Sequence, residues 1–565
     1  MTIQSKYSLC LIAILLLLGA CKKDKLNYEY DNRPLKEPRK KSNVRIINLA
    51  DYNQVVANGD TLTNFVVRRA GTPNENDYPG TTYFPTNGRL SKIWEVPQDV
   101  FDAREKANLT ICNWTLSGVI NMVRFTTENS YSRPLDYILP PAFAFKGQPE
   151  VVPVPRDVSA PSKPDHFKIR IINLTGAINS PGSNVNGPIE DLQGPVTLSY
   201  ADGTPVDTKT SHIASANPVS GYVEVPYGTY QFKVLTEDGR TLPAISQDAK
   251  YSIIEPVNSS VLVRYNKPIN QIYAPIKTYQ PGGIYTVIVT PQNFRYYTNE
   301  RDQDATTYQN GFQIINDNSL TPNTTYCRLQ TVNAWKDQPV TIRTNGREIA
   351  TGLTFGKAGA YANLVNGHHK IEAIDANGKV IATTEQLLRP AQNYTAWLYP
   401  TKEGDAKLLI VANDLSGMSY NGSSEDATYD RFQYDYIFNQ RFLNLSPDNP
   451  YVSFTKDNGI ALSLNASINL QPGIPLEQKP YITMGYDMPR FNMMAYRSLP
   501  DVVPGIWADD IPVRGSEDFI ANKTLYTNIN RPLPTHEPGI YTVALIGRTG
   551  NATPKATIMI LKHNK

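Results

Sequence analysis

Cysteine, histidine and net charge are all scarce in this chain, and each scarcity excludes something. Four cysteines in 565 residues, Cys10, Cys21, Cys112 and Cys327, are too few for a disulfide framework. Cys112 and Cys327 fall in different repeats, so two buried single thiols are expected. The six histidines form no HxH, HExxH or other compact ligand pattern, so no metal site is expected. With 55 basic and 52 acidic residues the net charge is +3, which gives no field that selects nucleic acid. There is no G-x-S-x-G elbow and no glycine-rich phosphate loop before a helix. No cofactor and no enzymatic activity are therefore expected.

Long apolar runs are lacking too. Leu9–Ala20 has twelve residues, where a helix needs about 20 to cross a bilayer. Lys6 precedes the run and the small pair Gly19-Ala20 closes it, which is the pattern of an export signal. Leu18-Gly19-Ala20-Cys21 resembles the bacterial lipobox. That resemblance implies a signal peptide over 1–20 and a lipidated N-terminus at Cys21. Lys22 stands where aspartate would favour the inner membrane, so the outer membrane is expected. Stable anchoring needs more than one acyl chain, and a lipidated cysteine supplies at least two. The membrane is thus a partner through lipid, not through a span. Residues 21–41 are charged and broken by proline, and read as a flexible tether reaching about 25 Å.

What the chain has in quantity is turn residues and tyrosine: 35 Gly, 43 Pro and 34 Tyr. Frequent turns between Val/Ile/Tyr/Thr-rich runs mean short strands. One phrase keeps returning: "VRIINLA" (44–50), "IRIINLT" (169–175), "LQTVNA" (329–334) and "RFLNLSPDNP" (441–450). Aligned on Asn48, Asn173, Asn333 and Asn444, each is an alternating strand that runs into an Asx-type turn. "YADG", "TNGR" and "KDNG" follow as hairpin turns in which glycine supplies positive φ. A tyrosine-bearing strand recurs later, as "PGGIYTVIVT" (281–290), "PAQNYTAWLY" (390–399) and "EPGIYTVALI" (537–546). No clear counterpart is visible in 42–150. Internal repetition of this kind predicts an all-β chain of tandem β-sandwich domains. The expected units are 42–150 (degenerate), 163–322 (with loop insertions at 176–193 and 291–310), 323–422 and 432–565. Pro-, Gly- and Ser-rich stretches near 151–166, 318–326 and 415–431 predict flexible junctions and a rod.

The order of these strands, with "SPDNPYVSF" and "LTFGKAGAYANLVNGHHKIEAI", resembles a secreted bacterial repeat family. It is the family catalogued as domain of unknown function 4397, an immunoglobulin-like sandwich. Residues 327–414 match it most fully. The resemblance implies fold and location, and it brings no catalytic residues.

Candidate site residues are few. Trp335 ("NAWKDQP") and Trp507 ("GIWADD") sit beside loop residues and are the better exposed candidates for stacking on a ligand. Asp60-Thr61-Leu62 resembles a three-residue O-glycosylation acceptor, with Thr61 as the site, but also reads as a hairpin turn after Asn58-Gly59. Of His368-His369, adjacent on a strand, one is expected to pack and one to face water. Loop carboxylates such as Asp509-Asp510 read as solvated turn residues. The expectation is a non-enzymatic outer-membrane lipoprotein, facing the cell exterior, that binds or assembles with a surface glycan or protein. The alternatives are a glycan-binding accessory lipoprotein of a nutrient-uptake system and, third, a glycoside-active enzyme.

Overall fold

The computed structural model describes residues 39–65, 80–115, 117–146, 148–178, 183–184, 187–188, 192–244, 274, 276–297, 304–415, 438–477, 479–484, 488–528 and 533–565. The signal segment, Cys21 and most of the tether lie outside these residues, as do most of 415–431 and half of the 176–193 insertion. The described architecture is essentially all-β, with several four-stranded sheets. Among the described residues α-helix is confined to Thr524–Thr527.

One sheet pattern occurs four times. Each Asn-ended phrase is a leading strand: Lys41–Asn48, His166–Asn173, Tyr326–Asn333 and Phe438–Asn444. Each pairs in parallel with a partner strand from the end of its own unit: Leu135–Leu139, Ile284–Tyr297, Asn393–Pro400 and Gly539–Ile546. A return strand then runs antiparallel to that partner: Val152–Pro155, Asp304–Asn316, Ala406–Asn413 and Thr557–Lys562. The other edge is held by Ile93–Pro97, Val223–Pro226, Ala362–Val365 and Ile482–Thr483.

The first unit therefore has the partner strand that its sequence did not show. "LDYIL" lacks the flanking glycine and the Tyr-Thr-Val run, yet pairs residue for residue with Val44–Asn48. Its return strand, "VPVP", lies past 150 in the stretch that reads as a linker. Alternate prolines are tolerated there because this is an edge strand, where a missing N–H faces outward. Another insertion also changes character. Residues 291–310 do not enlarge a loop but prolong the second unit's partner and return strands into one long hairpin, paired from Tyr285–Asn316 out to Tyr297–Asp304.

A second group of strands closes each core. In the third unit Val340–Thr344, Arg347–Leu353, Gly367–Ile374 and Val380–Leu388 form it, and Leu329, Tyr394, Ile342 and Ile371 meet between the sheets. Cys327 lies in that core and Cys112 is buried in the first unit; both are free thiols. The Asn that ends each leading strand is buried and ties the sheet to the loop beyond it. Asn333 Nδ2 donates to the carbonyls of Lys336, Gln338 and Leu353 at 3.1, 3.1 and 2.9 Å, and Oδ1 accepts from Trp335 N at 3.0 Å. Asn444 bonds Asn449 O, Leu470 O and Ser446 N in the same manner. Asn333→Ala strands several buried backbone groups, so a loss of about 2–4 kcal/mol is expected. Chemical denaturation beside Asn377→Ala, in an exposed turn, checks it; equal midpoints for the two variants would refute the assignment.

The leading strands are buried on both faces, which explains why they read as nearly continuous apolar runs. The residue two before each Asn enters its own core, as Ile46, Ile171 and Phe442 do. The residue one before it faces a sister unit. Ile47, Leu49, Ile138 and Val154 of the first unit pack on Ile172, Leu174, Ile288 and Ile315 of the second, at equivalent positions. Val332, Ala334, Trp397 and Val411 of the third meet Leu443, Leu445, Ala544 and Leu561 of the fourth in the same way. Like faces like in both pairs. The expected rod is thereby corrected, because a sheet face that would be wet in a rod is the centre of an apolar interface.

Candidate functional site

Position three before each Asn carries Arg45, Arg170, Gln330 and Arg441, and it puts polar groups at the middle of these interfaces. Arg45 Nε and Nη2 donate to Asp136 at 2.8 and 2.7 Å, and Nη2 also reaches Asp317 of the second unit at 2.8 Å. Arg156 Nη1 donates to Asp136 at 2.8 Å, and Tyr222 OH to Asp317 at 2.9 Å. Thr286 Oγ1 donates to Asp317 and accepts from Arg170 Nε, whose guanidinium lies over Tyr222. The other interface uses neutral partners. Arg441 donates to Asn413 Oδ1, to Ala412 O and to Thr542 Oγ1, and lies over Tyr481. His563 joins them, with Nε2 2.7 Å from Thr542 Oγ1 and Nδ1 3.0 Å from Tyr361 OH. Burial, with Arg441 and Arg328 nearby, holds His563 well below the ordinary imidazole value, so it is neutral.

Beside that second centre, the second, third and fourth units enclose a cleft of about 470 Å³. Its walls come from the turn Tyr200–Asp202, the bend Pro226–Tyr230, Arg328 and Gln330 on the third leading strand, the segment Ala358–Tyr361, and Lys562–Lys565. The units are sutured around it. Gln231 N donates to Lys565 O and Lys565 N to Thr229 O, while Asn363 Nδ2 reaches Asp165 O and Oδ2. Asn522 Nδ2 donates to Asp202 O. Behind the wall, Glu537 is 1 % exposed and accepts from Lys233 Nζ, Tyr526 OH and Ala521 N. Its carboxyl stays below the usual range: burial opposes this, but Lys233 and Lys562 outweigh it.

Arg328 is 4 % exposed and has no carboxylate partner among the described residues. Its guanidinium lies over the Tyr361 ring at 4.1 Å and also close to Gly228. A Cβ on Gly228 would come within 2.7 Å of Arg328 Cζ, so a larger residue there would displace the guanidinium. Nη1 donates to Asn393 Oδ1 at 3.3 Å, whereas Nε has no hydrogen-bond partner. Lys562 Nζ and Asn564 Nδ2 are further buried donors, and Gln330 Oε1 a buried acceptor, likewise without hydrogen-bond partners among the described residues. Burial pushes Lys562 down to about 8, against the pull of Glu537. Lys565 Nζ lies over the Tyr200 ring at 4.0 Å. Three cationic side chains thus face one carboxylate side chain, Asp202, among the lining residues.

The residues that the sequence singles out lie elsewhere. Trp335 is 8 % exposed and donates its indole N–H to Gly404 O at 3.0 Å, so it is core and not a stacking platform. The loop residues around it mislead, because the Asn333 turn folds the indole inward. Trp507 is 46 % exposed beside Ile506 at 78 %, opposite Tyr496 on the neighbouring strand. Thr61 is exposed in the hairpin after Asn58-Gly59, both of which have positive φ. His369 packs, bonded to Thr344 Oγ1 and Val365 O, and His368 faces water. Among the described residues no three His, Cys, Asp or Glu side chains converge on a metal-sized site. The cleft itself had no sequence signal beyond Gly228, which reads as a turn.

No family model matches this chain, and no curated protein matches it. Similarity to solved structures is slight. A glycogen-degrading pneumococcal virulence factor is 8 % identical with a TM-score of 0.12; the alignment covers 60 % of this chain and 37 % of that one. A putative cell adhesion protein of Bacteroides ovatus is 10 % identical with a TM-score of 0.11, over 44 % of this chain and 95 % of that one. The major pilin subunit of Bacillus cereus is 10 % identical with a TM-score of 0.08, over 60 % and 91 %.

Proposed function

We propose that this chain is a non-enzymatic lipoprotein of the outer membrane, anchored at Cys21. Its four sheet pairs act as immunoglobulin-like sandwiches that present a ligand-binding cleft. The observation that carries this reading is the cleft at the junction of the second, third and fourth units, lined by Tyr200, Arg328, Tyr361 and Lys565. A pocket of a few hundred Å³ with a few convergent polar groups is the usual form of a binding site. Among the described lining residues Asp202 is the one carboxylate side chain, where glycoside hydrolysis uses a pair. Binding is the simpler chemistry. The glycan-binding accessory reading draws separate support from the exposed Trp507 and Ile506.

Ala360 lines the cleft and is exposed, so Ala360→Trp fills the mouth without disturbing a core. Retention of the full chain on glycan and surface-protein arrays should fall at least tenfold, with an unchanged melting temperature. Cys21→Ser should move the protein out of the membrane fraction. Undiminished retention by Ala360→Trp would place the ligand elsewhere, and turnover of a captured ligand would replace binding by catalysis.

A further inference from the structure

We infer that the segment His563–Lys565 is an acid-released strap: it ties the second unit to the paired third and fourth units, and a proton on His563 lets it go. The joints of the molecule are unequal. The first and second units, and the third and fourth, meet across apolar sheet faces. Between those two pairs the buried apolar cluster among the described residues is only Ile276, Leu415 and Ile540. The rest of that joint is polar, and the strap supplies its backbone link. Gln231 N donates to Lys565 O at 2.9 Å, and Lys565 N to Thr229 O at 3.2 Å. The fourth unit holds the strap's other side, where His563 N donates to Ile540 O at 2.8 Å and Asn564 Oδ1 accepts from Ile540 N at 2.9 Å.

His563, 2 % exposed, is the group that can undo this. Its ring stands between Thr542 Oγ1 and Tyr361 OH. Each hydroxyl already accepts a hydrogen bond, from Arg441 Nη2 and from Asn413 Nδ2 respectively. A neutral imidazole suits the place because one ring nitrogen accepts, whereas an imidazolium would bring a donor to both hydroxyls. The charged groups around it are Arg441 and Arg328 on two leading strands, with Tyr361 against Arg328 and Tyr481 against Arg441. Lys562 and Lys565 flank it in the chain, and the carboxylates of Glu537 and Asp202 act on Lys562. No carboxylate pairs with His563 among the described residues. Released, the imidazole titrates near its ordinary 6.5; strapped, burial and the two arginines hold it well below that. Acid therefore protonates the released form first, and the ratio of released to strapped chain rises about tenfold for each pH unit below 6.5. Because the same three residues line the cleft, release also opens one of its walls.

Amide hydrogen exchange of the full chain at pH 7 and pH 5, corrected for the intrinsic pH dependence of exchange, tests this. Opening at Gln231 and Lys565 should rise about twentyfold at the lower pH. Leu445, whose amide donates to Leu545 O inside the fourth unit, should stay at least about tenfold more protected at both, since the strap opens without the unit unfolding. His563→Gln, which cannot take up the proton, should hold the Gln231 rise below about twofold. Should that variant fail to fold, Asn564→Ala serves: it removes the acceptor for Ile540 N, so opening should be greater at pH 7 and keep the same acid rise. Gln231 exchange that does not change with pH, or that matches Leu445 in rate, would overturn the strap. So would an Asn564→Ala chain no more open at pH 7 than the parent. A full acid rise in folded His563→Gln would overturn the role of His563.

Discussion

Asp317→Ala is expected to destabilise the protein by about 3–5 kcal/mol, because removing one member of a buried ion network leaves the others uncompensated. Asp317 is 4 % exposed and sits between two units, accepting from Arg45 of the first and from Tyr222 and Thr286 of the second. Without it Arg45 retains Asp136, but Asp136 then serves both Arg45 and Arg156. Three groups from two units would be left short of acceptors. A second Arg–Asp pair gives the control. Arg497 and Asp510 also approach to 2.7 Å, yet both side chains are more than a third exposed. Water and salt screen such a pair, so Asp510→Ala should cost less than about 1 kcal/mol. Thermal unfolding reports the difference. Hydrogen exchange should also show the amides of 44–48 and 284–289 losing protection together, as expected of sheets that share an interface. If both variants shift stability equally, the buried network does not couple the first two units.

The repeat was legible in the sequence because it is local. An apolar strand ending in Asn, a glycine hairpin and a tyrosine-bearing strand each lie within about ten residues, and backbone chemistry fixes them. The parallel pairing of leading and partner strands was not, since nothing local records which strands meet across 65 to 116 residues of chain. One signal was present and went unused. Arg45, Arg170 and Arg441 each interrupt an otherwise apolar strand, and a charge in such a strand needs a buried partner. Alternation alone does not tell a wet face from one covered by another unit. The structure shows that face covered by a sister unit, with the residue two positions after each arginine packed in the interface.

The cleft was invisible for a related reason. Its lining comes from strand ends separated by hundreds of residues, and each piece has an ordinary local explanation. Gly228 reads as a hairpin glycine, Arg328 as the polar half of an alternating strand, and Lys562 as the last residue of an edge. Only their convergence gives them chemistry. Trp335 shows the converse failure, since loop-like neighbours suggested exposure that the Asn333 turn removes.

Acidification should destabilise the fourth unit well before its carboxylates titrate. His536 is 2 % exposed and stacks on Phe438 at 4.1 Å, and burial lowers its pKa from 6.5 to about 4. The sign follows from which state binds the proton first. Between pH 6.5 and 4 the unfolded chain protonates His536 while the folded chain keeps it neutral, so stability falls as pH falls through that window. Its contribution is fully present above pH 6.5, and about 2 kcal/mol of it is lost by pH 5. His563, also held neutral by burial and by Arg441 and Arg328, adds a loss of the same sign. Glu537 acts lower down. Its depressed pKa keeps the Lys233 and Tyr526 contacts intact until the pH drops below the ordinary carboxyl range. The two contributions therefore separate on the pH axis. His536→Phe preserves the stack on Phe438 but cannot be protonated, so it should lose about 2 kcal/mol less than the parent between pH 7 and pH 5. Below the ordinary carboxyl range both proteins should lose further stability as Glu537 protonates. Melting temperatures at pH 7, 5 and 3 follow the two losses in turn. If the parent and His536→Phe fall in parallel from pH 7 to pH 5, the buried imidazole is not what makes this unit acid-sensitive.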